Sequence, residues 1–366
     1  MTLPGSRPAA VCDSHTAIRN PDAVTDFGQN WPPPILWWAA IGGLVLALQA
    51  CVWVRWFASG EAAPMTTGVD PVPGGVKVAA WGLQISTLIG AVAVLSWLTH
   101  RCMRERRLVL DAIILIGWAS LYWLDPLGNY VRPVVFFNSY YVNLGGWVNG
   151  IPGWASPNGQ NTAEPLLVTG GFFLSSSILA TILGGFVMHR AKQRWPSIGP
   201  LRMIAAAYLT TALFMIGSEI IFVRAQVYAF AGVIRGLSLW PGSLYQFPVY
   251  EPFFVAALLT TVAALRYFRD SNGRMPYERG LDRLNISDRR KTGVRVLGVI
   301  GLIHVVGFFV NIPLIVIGLH ASPYPTHYPS YLRNDLCGGN SGYQCPGNGN
   351  PIPLRDTPKT LEPTGK

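Results

Sequence analysis

Four carboxylates in this sequence have the residue type and setting for acid–base chemistry: Asp125, Glu164, Glu219 and Glu251. Each lies in or beside a long apolar run. Ionisable groups within a bilayer are costly, so they usually face a cavity or a partner. Because the four come from separate stretches of the chain but fall near the same ends of their apolar runs, we predict that they share one catalytic site.

Their local settings differ. Glu164 and Glu251 each precede a proline, a residue suited to the first turn of a helix, where the helix dipole favours a charged carboxylate. Asp125 lies where an apolar run ends, and Glu219 lies within the apolar stretch 215–222, so both settings favour the neutral acid. We therefore expect Asp125 and Glu219 to act as acids, and Glu164 and Glu251 as bases or cation stabilisers.

A structural alternative exists for two of these residues. Asp125 could form an ion pair with Arg132, and Glu219 could pair with Arg224 or Arg235. Carboxylates in such pairs would stabilise the fold and take no part in chemistry.

The elements that must position these residues are membrane helices. Only 13% of the residues are charged, whereas soluble domains carry roughly 25%. Seven stretches approach the roughly 20 apolar residues that a transmembrane helix needs: 35–56, 76–98, 108–124, 166–188, 201–223, 252–268 and 294–319. The sequence predicts an all-α polytopic bundle of about seven helices over residues 35–320, between a polar, uncleaved segment 1–34 and a Gly/Pro/Asn-rich tail 321–366.

The net charge of +10 comes largely from the loops after the second, fourth and sixth apolar runs, around Arg104, Lys192 and Arg290. Basic loops of multi-pass proteins face the cytoplasm. This predicts a plasma-membrane protein with a cytoplasmic N-terminus and an extracytoplasmic tail, and it favours the lipid bilayer over nucleic acid as the partner. Asp111 follows Arg106 and Arg107, so we interpret it as an interfacial pairing residue.

The loops predicted on the opposite face, 126–165 and 224–250, are nearly uncharged and crowded with aromatic residues, Asn and Gly. They are either an interfacial aromatic belt or a lid over a cavity. If they form a lid, its polar and aromatic side chains would bind substrate: Asn129, Tyr130, Asn143, Trp147, Trp154, Gln246 and Tyr250.

Several cofactor-dependent classes lack their sequence signatures here. We find no Asp-rich diphosphate-binding motif, no histidine box and no Gly-rich phosphate loop. We therefore expect no metal and no cofactor. The closely spaced Cys337 and Cys345 would face an oxidising space and could pair.

An ordered set of motifs resembles the AveC-type spirocyclase family, membrane proteins of avermectin-class polyketide pathways. The motifs are Arg106-Arg107-Leu108, Asp125-Pro126-Leu127-Gly128-Asn129-Tyr130, Ile151-Pro152-Gly153-Trp154-Ala155-Ser156-Pro157, Glu164-Pro165-Leu166-Leu167, Arg194-Trp195-Pro196, Glu219 and Gln246-Phe247-Pro248-Val249-Tyr250-Glu251. The tail that contains Cys337 and Cys345 also resembles the family. The resemblance implies closure of a lipophilic dihydroxy-ketone polyketide to a spiroketal, and some members also dehydrate the product.

Two other functions fit the same residues. A transporter or binding protein for a lipophilic metabolite would use the carboxylates as proton-relay or binding groups. Another acid-driven membrane cyclase, acting on terpenoids, would use similar chemistry. No feature of the sequence specifies an oligomeric state.

Overall fold

A computed structural model describes residues 32–270, 273–323, 328–347 and 350–359. Most of the predicted segment 1–34 lies outside these residues. The described part of the chain is dominated by helices: α1 (Pro34–Ser59), α2 (Gly74–Glu105), α3 (Leu110–Leu121), α4 (Leu166–Gly171), α5 (Ser177–Arg194), α6 (Pro200–Arg224), α7 (Glu251–Tyr267), α8 (Asp288–Leu319) and the short α9 (Ser330–Arg333). A 3₁₀ segment, Tyr122–Asn129, extends α3, and a π-helical turn, Phe172–Ser176, joins α4 to α5.

Within the described residues, six helical segments are long and apolar enough to cross a membrane. They are α1, α2, α3 with its 3₁₀ extension, α4 with α5, α6 and α8. The predicted sixth span corresponds to α7, which has only 17 residues and packs against α5, α6 and α8. Large apolar side chains on α2, including Trp81, Ile89 and Val92, are exposed, as expected for a lipid-facing helix. The prediction of an all-α polytopic membrane protein is confirmed.

The basic loops meet at one end of the bundle, which we call the basic end. There Asp111 accepts hydrogen bonds from Arg101 at 2.9 Å and from Arg266 at 2.7 Å. The predicted pairing role of Asp111 is therefore confirmed. The start of α1 lies at the same end, because the Ile35 amide donates to the Arg279 carbonyl at 3.4 Å. Which side of the membrane this end faces stays a prediction.

α3 packs against α2, α5 and α8, and its Ile113, Ile114 and Trp118 are almost fully buried. The backbones of α1 and α8 approach each other closely. A Cβ atom added to Gly42 would lie 2.0 Å from the Leu297 carbonyl oxygen, and one added to Gly301 would lie 2.2 Å from that of Trp38. Small residues at such crossings let two membrane helices touch along their backbones.

The opposite end, here called the loop-rich end, is built from the aromatic loops, the α1–α2 connection and the tail. Its six described strands form three antiparallel pairs: β1 (Val135–Phe137) with β2 (Tyr228–Phe230), β3 (Gly232–Val233) with β6 (Ser322–Pro323), and β4 (Ser238–Leu239) with β5 (Phe247–Pro248). The β1–β2 pair joins the two aromatic loops to each other, with Phe136 opposite Ala229.

The described part of the tail packs on the loops of this end. Cys337 and Cys345 form a disulfide with their Cα atoms 4.7 Å apart. The Tyr331 hydroxyl donates to Gln226 at 2.9 Å, and the Asn334 amide donates to the Phe137 carbonyl at 2.7 Å. The tail therefore holds the strands of both aromatic loops in place.

Candidate active site

Asp125, Glu219 and Glu251 line one cavity near the loop-rich end of the bundle. Its walls come from α3 and its 3₁₀ extension, the α4–α5 region, α6, α7 and α8. The cavity has a volume of about 230 Å³. Most of the lining is apolar, with Phe172 and Leu258 as examples. The cavity thus combines acidic groups with surroundings suited to a lipophilic molecule.

A different local structure delivers each carboxylate. Asp125 lies in the 3₁₀ segment that ends the third span, immediately before Pro126. Glu219 lies in the penultimate turn of α6 and is only 8% exposed. Glu251 is the first residue of α7, with a proline directly after it. The positive end of the α7 dipole therefore acts on Glu251.

The β1–β2 pair forms one wall of the cavity. Side chains alternate between the two faces of a strand, and Val135 and Phe137 of β1 line the cavity together with Tyr228 and Phe230 of β2. Phe136, between them, faces the other way and contacts the Tyr328 ring at a centroid distance of 5.0 Å. Both aromatic loops therefore pack over the cavity, which is the arrangement expected of a lid.

The structure contradicts the alternative of structural ion pairs. Among the described residues, no salt bridge involves any of the carboxylates at the cavity. Arg132 donates to the Leu319 carbonyl at 3.0 Å, and Arg235 to the Pro323 carbonyl at 3.3 Å. Arg224 lies over the rings of Trp240 and Tyr245, 4.4 and 4.7 Å from their centroids. All three arginines contact groups other than the carboxylates assigned to them.

Glu164 is placed differently from the other carboxylates. It is fully buried and does not line the cavity, and it lies behind the wall close to Asp125 and Thr169. Neither carboxyl oxygen forms a hydrogen bond within the described residues. Burial, and then the charge of Asp125, raises the pKa of Glu164 well above its usual range. Burial thus opposes the ionised form that was expected at Glu164, and its role as a base stays a prediction.

Tyr250 is the predicted substrate-binding residue that does line the cavity. Its hydroxyl oxygen accepts a weak hydrogen bond from the Ile234 amide at 3.4 Å, which leaves its proton available for donation. Burial raises the pKa of the Tyr250 phenol, so the group stays neutral near pH 7. Tyr250 can therefore orient a hydroxyl or a carbonyl in the cavity.

The other predicted polar ligands are used by the fold. The Asn129 side chain donates to the Val135 carbonyl at 2.8 Å and accepts from two backbone amides. Asn143 bonds to backbone groups of its own loop and to the Met65 amide. Gln246 donates to the Phe230 carbonyl at 2.7 Å. None of the three lines the cavity, because their polar groups satisfy buried backbone, so the structure does not bring them to the carboxylates.

The predicted aromatic ligands Tyr130, Trp147 and Trp154 also lie away from the cavity. The Tyr130 hydroxyl donates to the Pro152 carbonyl at 2.8 Å, and its ring meets that of Trp154 edge-on. The Trp147 indole donates to the Trp123 carbonyl at 2.8 Å. These rings support the loops, and the aromatic cover comes instead from β1 and β2.

The cavity wall also contains polar residues that were not predicted, among them Thr169 and Asn311. Thr169 lies between Glu164 and the cavity. Asn311, in α8, donates to the Gly307 carbonyl at 2.9 Å and keeps its own carbonyl oxygen as an acceptor. A signal for Asn311 was present in the sequence, since an asparagine within the long apolar run 294–319 is costly unless it faces a partner or a cavity.

Comparisons with known proteins assign the chain to a family. No curated protein and no solved structure gives a significant match to the chain. The profile of one family, described as "Spirocyclase AveC-like", matches residues 105–333, more than half of the chain. The match runs from the end of α2 through α9, so it includes every carboxylate at the cavity. The chain therefore belongs to the AveC-like spirocyclase family.

Proposed function

We propose that the protein closes a dihydroxy-ketone chain to a spiroketal in this cavity by carboxyl acid–base catalysis. One observation carries the proposal: Asp125, Glu219 and Glu251 line a single apolar cavity without a cation paired to any of them in the described structure. Carboxylates so placed repel one another, and sharing protons relieves the repulsion. Protonated and ionised carboxyl groups would therefore lie side by side in the cavity.

The proposed reaction has three steps. One substrate hydroxyl adds to the ketone, which gives a hemiketal. A carboxylic acid, Glu219 or Asp125, then protonates the hemiketal hydroxyl, the C–O bond breaks, and water leaves with its electron pair. The second hydroxyl captures the resulting oxocarbenium ion and loses its proton to a carboxylate. The net change is loss of one water, and the carboxyl groups together neither gain nor lose a proton.

We assign the carboxylate that stabilises the cation to Glu251. The positive end of the α7 dipole acts on this carboxyl group and offsets part of the cost of burying its charge. One of its oxygens is buried and has no hydrogen-bond partner in the described structure, which leaves it available to a bound molecule. A fixed negative charge in a dry cavity stabilises a developing cation much more than it would in water. Tyr250 and Asn311 would hold the hydroxyls or the carbonyl of the substrate.

The cavity size is consistent with such a chain. The cavity volume of about 230 Å³ approaches the roughly 300–1,000 Å³ that is typical of small-molecule sites. A folded dihydroxy-ketone of that size would have its two hydroxyls close to the carbonyl carbon, and holding the reacting groups together lowers the entropic part of the barrier.

The test is turnover of a synthetic dihydroxy-ketone by purified protein in detergent, followed as loss of one water by mass spectrometry and corrected for spontaneous closure. Asp125→Asn, Glu219→Gln and Glu251→Gln keep side-chain size but remove the transferable proton or the charge. Each should lower turnover by about 10²–10⁴-fold, the usual contribution of a general acid or base. Glu105→Gln, at the basic end, is the matched control and should keep wild-type turnover.

Two results would count against the proposal. Folded Asp125→Asn and Glu219→Gln variants that both close the substrate at the wild-type rate would remove the carboxyls from the mechanism. Saturable binding of the dihydroxy-ketone with no closure above background would favour a transport or binding function, which proteoliposome uptake would then measure.

A further inference from the structure

A second pocket, separate from the carboxyl cavity, lies at the loop-rich end of the bundle. It is an open pocket with a volume of about 410 Å³, lined by residues from three distant parts of the chain. Arg55 comes from the last turns of α1, residues 149–154 and Ser156 come from the first aromatic loop, and Arg355 comes from the tail. The motif around Trp154, which is part of the family resemblance, therefore forms this pocket and does not line the carboxyl cavity.

The guanidinium groups give the pocket a positive character. Arg355 donates to the Trp154 carbonyl, which fixes its side chain against the motif. Arg55 has no hydrogen bond, ion pair or ring contact with any residue that the structure describes. Acidic residues occur nearby but do not line the pocket: Glu61 is a hydrogen-bond acceptor for Asn149, and Asp356 follows Arg355 in the chain.

Other arginines at the loop-rich end have partners within the described structure, whereas Arg55 has none. Arg132 and Arg235 donate to carbonyl groups, Arg224 lies on two aromatic rings, and Arg333 pairs with Asp70 at 3.7 Å. A guanidinium carries five donors in a planar fork that matches an oxyanion. The donors of Arg55, beside those of Arg355, are therefore open to a ligand.

The remaining lining fits the same ligand class. Ser156 is only 7% exposed, and its hydroxyl has no hydrogen bond within the described residues, so it can donate to an oxyanion in the pocket. Val54 and Phe57, on either side of Arg55 in α1, are 66% and 62% exposed and lie on a helix suited to span the bilayer. The pocket thus lies where a lipid-facing helix surface ends.

We propose that this pocket is a binding site for a phosphate-type oxyanion, held by Arg55, Arg355 and Ser156. The ligand can come from the headgroup of a phospholipid, which the position beside the lipid-facing surface of α1 favours, or from a phosphate in solution. Binding would tie α1, the Trp154 motif and the tail together. This site is independent of the spiroketal chemistry proposed above.

The experiment is thermal unfolding of the full chain in neutral detergent with three separate additions: inorganic phosphate, short-chain phosphatidic acid and diacylglycerol of the same chain length. A ligand that binds only the folded state raises the melting temperature by mass action. We expect phosphatidic acid, but not diacylglycerol, to stabilise the wild type. Arg55→Gln should weaken the apparent affinity by about tenfold or more, as loss of a charged hydrogen bond does.

Matched variants make the result specific. Arg104→Gln, at the exposed basic end, should keep the wild-type response. Arg355→Gln also removes the hydrogen bond to the Trp154 carbonyl and could unfold for that reason. If the Arg355→Gln variant unfolds, the response of Arg55→Gln decides the test. Equal stabilisation by inorganic phosphate would identify a soluble anion as the ligand, with the same site. The proposal is overturned if neither phosphate compound stabilises the wild type, or if the response persists unchanged in Arg55→Gln.

Discussion

The protonation state of Glu164 can be tested without any substrate, by the pH dependence of stability. Glu164 is fully buried, has no cation beside it in the described structure and lies close to Asp125. Burial and the neighbouring charge raise its pKa well above its ordinary value, so the folded protein holds this proton to a higher pH than the unfolded chain does. Glu164→Gln keeps the shape of the neutral acid but cannot ionise.

The sign follows from linkage. The contribution of Glu164 to stability is fully present below the ordinary glutamate pKa of about 4.3 and is lost as the pH rises toward the raised pKa of the folded state. For one proton the loss is at most about 1.4 kcal/mol for each pH unit in that window. The Gln variant has no such loss. Its stability relative to wild type should therefore rise with pH from about 4.3 and then level off once the folded-state pKa is passed.

The assay is thermal or denaturant unfolding of both proteins in the same mild detergent across the pH range, with Glu105→Gln as a control for loss of a carboxyl at the basic end. The control should lack the rising difference. Two outcomes would refute the reasoning: a difference between Glu164→Gln and wild type that does not change with pH, or one in which the Gln variant becomes relatively less stable as the pH rises. The second outcome would mean that the fold stabilises an ionised Glu164.

Three further predictions concern the fold and the cavity. Asn129→Ala leaves buried backbone groups without partners, so it should lower the free energy of unfolding by about 1–3 kcal/mol in denaturant titrations; an unchanged value would contradict the structural role. Gly128→Val adds bulk to the cavity where an added Cβ meets no atom within 4 Å. It should leave the melting temperature unchanged and lower kcat/KM for a cavity-filling substrate by roughly 10–200-fold, whereas equal kcat/KM would place the substrate elsewhere. Cysteines at the exposed Arg290 and Asp356 should react with impermeant reagents from opposite sides of the membrane, and labelling of both from one side would refute the helix parity.

The sequence alone determined much of the architecture, because a membrane span is a property of some twenty consecutive residues and needs no knowledge of distant contacts. The prediction of an all-α polytopic bundle follows from this local pattern. The basic loops follow the second, fourth and sixth apolar runs, so alternate crossings of the membrane bring them to the same side. The convergence of Asp125, Glu219 and Glu251 was also predictable, because a buried carboxylate at a span end has few low-energy options other than a cavity or an ion pair. Their catalytic role stays a prediction.

Only the tertiary structure decided which polar side chains face the cavity and which support the loops. Asn129 and Gln246 resemble ligands in sequence, yet their amides bond to backbone groups such as the Val135 and Phe230 carbonyls, brought to them by the fold of the loops. Glu164 has the same motif setting as Glu251, but lies behind the wall instead of in it. The physical reason is that hydropathy is summed along the chain, whereas the partner of each buried polar atom is set by contacts between distant segments.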